Sequence, residues 1–453
     1  MSDAAVQDLT FTPPGPTPGT RDISPLDMLL KFSSRPLEAW PRAVFETPIW
    51  RPPMPGMPIY LMDPAAIREV FVDQAPSFPQ GALWRRMMRP VWGDGMVTSD
   101  GPAWRWQRHA AAPAFRPAQM QALTPLMARA ASDALGRWRS GGRIDVAEET
   151  GHITFDILLD AALSGGEDFD RVGARELIAG FMAELGRMRL SYYLAPDAFH
   201  ERRVTPAAPE AEELRTVIGA MIRRRRTAPP RGDLVDLLLA AKDPETGQAM
   251  DDAILRDNLL GFIVAGHETS AVALAWSIYL ATAHAPTLAR IRAEVAAVAG
   301  DEAIGAGHVE RLIFTRQVIQ EALRLYPPAH TMTRVCARTT EVSGVTIKAG
   351  SRVLIPVYAL HRHRLWWRDP DVFDPDRFAA DATPPVRHLY MPFGAGPRVC
   401  LGAAFAMTEL VTILATLLRG ANFALAPGHR VWPLADVALR PEGGLPMDVT
   451  VRA

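Results

Sequence analysis

Residues 392–402 read Pro392-Phe393-Gly394-Ala395-Gly396-Pro397-Arg398-Val399-Cys400-Leu401-Gly402, a glycine-rich turn that hands one cysteine to the start of a long apolar stretch. In a helix that begins there, the amides of Leu401, Gly402 and the residues after them have no intrahelical partner and can point at the sulfur. That placement predicts a lowered thiol pKa and a Cys400 thiolate, a ligand suited to soft iron. Gly394, Gly396 and Gly402 permit a tight turn and let a flat macrocycle approach the backbone, while Phe393 can pack beside the sulfur and Arg398 can meet a propionate. The plainer reading of one cysteine is a buried free thiol near a helix cap. The FGxGxRxCxG spacing around Cys400 argues beyond it.

The chain has 453 residues, 48% hydrophobic and 22% charged, the make-up of a globular protein with material for a large core. Forty-nine basic against 50 acidic residues leave a formal charge of -1, which removes any global electrostatic drive towards nucleic acid or an anionic membrane. Cys336 and Cys400 are the two cysteines; they cannot build a disulfide framework, a CxxC zinc site or a CxxCH attachment. No basic segment followed by an apolar one opens the sequence, so a cytoplasmic protein without a membrane anchor is expected. Asn258 to Ala283 and Cys400 to Leu418 approach spanning length. Each carries a carboxylate inside, Glu268 beside His267 in the first and Glu409 in the second, at a cost of several kcal/mol in lipid. Helices buried in protein are the expectation.

Residues 1–20, rich in Pro, Thr and Gly, read as a flexible or extended arm laid on the surface, and residues 21–453 as a single domain. Apolar residues recur at helical spacing over 119–138, 147–163, 174–189 and 210–226. Asp252 is expected to cap a helix reaching about His284; about 33 residues at about 1.5 Å each make a rod near 50 Å long that must cross the body. Pro286 can open the next helix, closing at Gly300, and His308 to Tyr326 forms another ended by Pro327-Pro328. Strand signals are short, at 59–62, 346–347 and 353–357. The fold class is therefore mainly α with small β-sheets. The run Arg223 to Arg226 reads as the solvated end of a helix, Cys336 as a small core residue, and His361, His363 and His388 as packing or hydrogen-bonding residues rather than metal ligands.

Further motifs bear on the Cys400 loop. Glu321-Ala322-Leu323-Arg324 places an acid and a base three apart on one helical face, and Phe373-Asp374-Pro375-Asp376-Arg377-Phe378 supplies a second arginine downstream. Ala265-Gly266-His267-Glu268-Thr269-Ser270 lies in the middle of the rod, where Thr269 can turn its hydroxyl to the i-4 carbonyl and open a groove. Trp104 and Arg108 share a helical face, and Arg334 follows the helix-ending prolines.

With these motifs the sequence resembles the cytochrome P-450 family of haem-thiolate monooxygenases, over most of its length. The resemblance implies the cytochrome P-450 fold, with haem b held between the long central helix and the Cys-bearing loop and helix, and Cys400 as the axial ligand of its iron. It implies that Glu321, Arg324 and Arg377 form a structural cluster pinning that loop, although Asp376 stands where Glu is more usual. Small Ala265 and Gly266 would leave room above the iron, Thr269 and Glu268 would bring protons to bound O2, and Trp104, Arg108, Arg334 and Arg398 would meet the propionates.

By the same resemblance, the substrate-facing stretches are Phe78 to Met96, Phe181 to Phe199, the rod before Thr269, Ala329 to Thr333 and Pro441 to Leu445. Trp84, Met87, Met88, Trp92, Met96, Phe181, Met182, Met188, Tyr192 and Tyr193 in them suggest a large, adaptable apolar pocket. Hydroxylation or epoxidation of a fatty acid, terpenoid or similar lipophile is the expected activity. No GxGxxG unit or iron-sulfur cysteine cluster is present, so electrons are expected from a separate ferredoxin or flavodoxin with its NAD(P)H-dependent reductase. A haem-thiolate peroxygenase, isomerase or dehydratase, and a non-catalytic haem gas sensor or carrier, are the rival functions.

Overall fold

Asp251 starts the longest element: its carboxylate accepts the Ile254 amide at 2.8 Å, and the helix runs Asp252–Ala283, 32 residues. The cap was expected at Asp252, but the backbone of Asp251 is the extended one that a cap needs. The computed structural model describes residues 10–18, 23–32, 34–53, 56–163, 170–185, 199 and 209–452. Ala285–Ala299 follows, with Pro286 in its first turn and Gly300 closing it at φ +56°.

Helices Val146–Leu163, Pro209–Thr227, Ile313–Leu325 and Ala403–Gly420 pack on the central one. Two stretches expected as single helices are broken. Residues 119–138 divide into Pro117–Ala122 and Thr124–Arg137, because Pro125 has no N–H to return to Gln121. Residues 308–326 divide at Leu312 into Ala306–Arg311 and Ile313–Leu325, and the Glu294 carboxylate caps the second from outside, accepting the Phe314 and Thr315 amides at 2.6 and 2.8 Å. The helix expected over 174–189 runs Arg171–Leu185, and residues 186–189 lie outside the described residues.

A four-stranded sheet has the order Ile49–Trp50, Ile59–Leu61, Arg352–Ile355, Met332–Val335. Its middle pair is parallel, Ile59 opposite Val353, and its last pair sets Arg334 opposite Val353. Gly142–Asp145, Pro446–Val451 and Ala421–Leu425 form a second sheet, and two hairpins complete the β-structure among the described residues.

The core is one contiguous cluster of buried side chains. Both long apolar helices pass a membrane test on length and composition, and 67% of each tested window is buried inside the protein. Residues 10–18 lie along the body: the Phe11 carbonyl accepts the Phe373 amide at 2.9 Å, Tyr326 donates to Pro14 at 2.6 Å and Tyr358 to Pro16 at 3.2 Å. The arginine run is not a solvated end throughout. Arg225 is buried and bidentate to Asp233 at 2.7 and 2.8 Å, because the chain folds back at 233 and brings an acid to that face.

Candidate active site

The Cys400 loop is a set of short closures. Gly394 donates to Met391, Val399 to Gly396, and the Cys400 amide to the Phe393 carbonyl at 2.9 Å. Gly396 has φ +69°, and a Cβ there would stand 1.9 Å from the Phe71 carbonyl oxygen, so only glycine fits. Below the loop, His361 accepts the Met391 amide at 2.9 Å and faces the Arg324 carbonyl at 3.1 Å; burial holds its pKa down to about 3, which keeps it neutral.

Arg324 and Glu321, neither with any exposure, bond at 2.7 Å from Nε and from Nη2 to the two carboxylate oxygens, and Arg377 approaches Glu321 at 3.4 Å. Arg324 also donates to the carbonyls of His361, Pro370 and Val372, while Glu321 accepts the Asp374 amide. The cluster therefore clamps the 368–374 segment that leads to the cysteine loop.

Cys400 opens into a cavity of about 620 Å³. The thiolate expectation is corrected for the sulfur by itself: the helix begins only at Ala403, and burial pushes the Cys400 thiol up against the Gly402 amide and Arg108, which pull it down. A metal in place of the proton would reverse that balance.

Across the cavity stand Ala265, Gly266, Thr269 and Ser270. Thr269 donates to the Ala265 carbonyl at 2.7 Å, and a Cβ on Gly266 would meet Leu158 of the neighbouring helix at 3.4 Å. Glu268 is not among the described lining residues. Burial raises its pKa, while Arg440 lowers it and Asp436 raises it.

Trp104, Arg108, Arg334, Phe393 and Arg398 all line the cavity. Arg398 lies 4.5 Å over the Trp104 ring, donates to Ser99 at 2.7 Å and pairs with Asp100, so a side chain expected to be free for a ligand is already part-neutralised. Arg334 sits 4.4 Å over Phe71, and burial draws its pKa down to about 10; burial lowers that of Arg108 as well. Among the described residues Asp100 is the one carboxylate among three guanidinium groups, so the wall carries an uncompensated positive charge that calls for an anion. An open cysteine sulfur, small residues facing it, and surplus cations at one edge fit a haem with its propionates.

Several pocket expectations are corrected. Of the aromatic and methionine set, only Met96 lines the cavity; Trp84, Met87, Met88, Trp92 and Met182 pack into the core, as the hydrophobic side of their helices demands. Pro441 to Leu445 does not line it either, and Met188, Tyr192, Tyr193 and the Phe181 side chain lie outside the described residues. Missing from the sequence reading were Phe115, which meets Phe262 of the central helix edge to face at 5.1 Å, and Leu234, Leu237, Phe405 and Asp233. Phe262 belongs to the rod before Thr269, a stretch expected to face the substrate, and it lines the cavity; Phe115 and Leu234 arrive from distant sequence and carry no local signal.

The family model described as Cytochrome P450 matches residues 45–445. A cyclooctat-9-en-7-ol 5-monooxygenase of Streptomyces melanosporofaciens is 32% identical over 371 residues, 81% of this chain and 80% of that one. Cyclooctatin synthase of the same organism is 31% identical over 402 residues, 84% of each chain. Among solved structures, the cytochrome P450DA heme domain superposes with a TM-score of 0.75 at 26% identity, covering 87% of this chain and 86% of that one.

Proposed function

This chain belongs to the cytochrome P450 family and is a monooxygenase, and from that premise we propose that it oxygenates a neutral, bulky apolar molecule, with electrons from a separate ferredoxin or flavodoxin and its NAD(P)H-dependent reductase. The observation that carries the substrate class is the lining. Away from the arginine group the cavity is walled by Phe115, Phe262, Leu158, Leu234 and Phe405, and its one other charged residue among the described residues is Asp233, already paired with Arg225, so this part of the wall offers no cation to hold a carboxylate. Neutral cyclic lipophiles are therefore favoured over fatty-acid anions. The two Streptomyces relatives, one named for the oxygenation of cyclooctat-9-en-7-ol, support the same choice.

Cys400, with Arg108, Arg334 and Arg398 towards the propionates, would hold haem b, which would supply the activation of O2. Trp104 orients Arg398, Phe393 accepts the Cys400 amide and keeps the loop closed, and Gly266 lets the Val146–Leu163 helix approach. Thr269, bonded back to Ala265, holds the groove where a proton enters, and Glu268, its carboxyl raised towards neutrality, feeds it from the side away from the cavity. The cytoplasm is the compartment that fits two free cysteines.

The test is a titration of the purified haem protein with neutral cyclic terpenoids and with fatty acids, following the spin-state change in the visible spectrum. Shifts from the neutral cyclic compounds, and none from the fatty acids, are expected. The reverse order would overturn the substrate class. Cys400→Ser should lose the ferrous carbonyl spectrum of a thiolate-bound haem, and a retained one would remove the ligand assignment.

A further inference from the structure

Asp100 stands at the N-cap of the Gly101–Ala111 helix with the extended backbone of a cap, φ −131° and ψ 167°, yet its carboxylate accepts no amide of that helix. An aspartate in this place ordinarily closes on the amides two or three residues on. Here one oxygen takes Arg398 and the other takes Arg85 at 3.3 Å. The cap is given up for an ion pair with two sides. Arg85 is the outer partner, its side chain 40% exposed; Arg398 is the inner one, 16% exposed and on the cavity wall, whereas Asp100 itself does not line the cavity. Gln80 at 3.2 Å, the Ser99 carbonyl at 2.7 Å and the Trp104 ring complete the hold on Arg398.

The other two guanidinium groups of the wall, Arg108 and Arg334, pair with no carboxylate among the described residues. Three positive charges against one negative leave two, which is the charge, opposite in sign, that the two propionates of a haem bring. Asp100 is thus the difference between a balanced site and one with a positive charge in excess. Its field also reaches beyond Arg398: burial and Arg398 lower the pKa of Arg334, and Asp100 raises it.

We propose that Asp100 is a positioning residue that fixes Arg398 and cancels its charge, and so holds the haem iron at a lower reduction potential than the three arginines would give it. Reduction adds one electron, delivered by the reductase chain, to the ferric iron. Every positive charge near it favours that step and every negative charge opposes it. With Asp100 ionised, wall and propionates sum to zero. With its charge removed they sum to +1, and the added electron is stabilised.

This rests on the monooxygenase reading, with haem held at Cys400, and its test reads the potential rather than turnover. In the purified haem protein, potentiometric titration followed in the visible spectrum should give a raised midpoint in Asp100→Asn, whose amide oxygen still accepts from Arg398. About tenfold more ferrous iron at a given potential is expected, the weight of one unit charge beside a haem-sized site at an effective dielectric constant of about 20, or about 59 mV for one electron. Arg85→Gln removes the outer partner, leaves the inner pair and should not raise the midpoint. Asp100→Ala should raise it and also release haem faster to an acceptor protein, because Arg398 loses its anchor. A purely structural role would speed haem loss and leave the potential where it was. An unchanged midpoint in Asp100→Asn, or an equal rise in Arg85→Gln, would overturn the proposal. The ferrous carbonyl spectrum separates the two readings: a thiolate-type spectrum with an unchanged midpoint removes the proposal alone, and its absence from the unaltered protein removes the Cys400 ligation and the proposal together.

Discussion

Arg324 donates to both oxygens of Glu321 and to three backbone carbonyls from a position without solvent exposure. Arg324→Ala strands the Glu321 carboxylate and frees the 368–374 segment at once, a loss of about 3 to 5 kcal/mol. Arg377 meets Glu321 at 3.4 Å with its side chain 12% exposed, so Arg377→Ala should lose less, about 1 to 3 kcal/mol. Urea unfolding ranks the two, and equal losses would mean that the cluster is not organised around Arg324. At this scale the sequence was informative wherever a side chain's partner lay within a turn or a short loop: Glu321 with Arg324, Thr269 with the Ala265 carbonyl. It was uninformative wherever the partner came from afar. Asp100 answers Arg398 across 298 positions, a contact that leaves no periodic trace.

Helices show the same division for a different reason. Burial of an apolar face repeats every three to four residues, so the existence of the central, Val146–Leu163 and Pro209–Thr227 helices was open to reading. Breaks at Leu123 and Leu312 were not, since a proline in a first turn and a carboxylate lent by Glu294 of a neighbouring helix leave the apolar spacing intact. The strands Ala421–Leu425 and Pro446–Val451 were missed because they are only five and six residues long and gain their order from each other. The N-terminal segment is the element with the most to test. Its Phe11 ring lies 6.2 Å from His284 and 6.1 Å from Phe373, and it takes hydroxyl bonds from Tyr326, which ends the Glu321–Arg324 helix, and from Tyr358. Deleting residues 1–18 should therefore cost about 2 to 4 kcal/mol, two partly buried hydrogen bonds and one partly buried aromatic ring. It should also speed haem loss, because Phe373 adjoins the clamp on the cysteine loop. Thermal unfolding and the transfer of haem to an acceptor protein measure both, and unchanged values would make the segment a passive surface strand.

For the molecule as a whole, buried titratable groups of opposite kind set the pH range in which it is stable. His267 and His361 are held neutral by burial, with pKa values drawn down to about 4 and about 3. Below about 6.5 the unfolded chain binds protons there that the folded one refuses, so stability falls as pH falls. Glu409 works in the other direction. Its folded pKa of about 8 lies above the unfolded value of 4.5, so between them the folded state holds a proton that the unfolded state has released, and stability falls as pH rises. Glu268, raised by burial, adds to the same limb. Below about 6.5 the two histidines outweigh Glu409, with His330, His363 and His388, also lowered by burial, acting in the same direction; above it the raised carboxyls of Glu409 and Glu268 act unopposed by them, so stability should peak close to pH 6.5. From there to pH 8 Glu409 removes about 1.4 kcal/mol per unit, about 2 kcal/mol in all. Glu409→Gln, which cannot ionise, should flatten that limb while leaving the acid limb in place. Urea unfolding at pH 5.5, 6.5 and 8 is the measurement, and a parallel decline of the two proteins above pH 6.5 would mean that Glu409 is already ionised in the folded state.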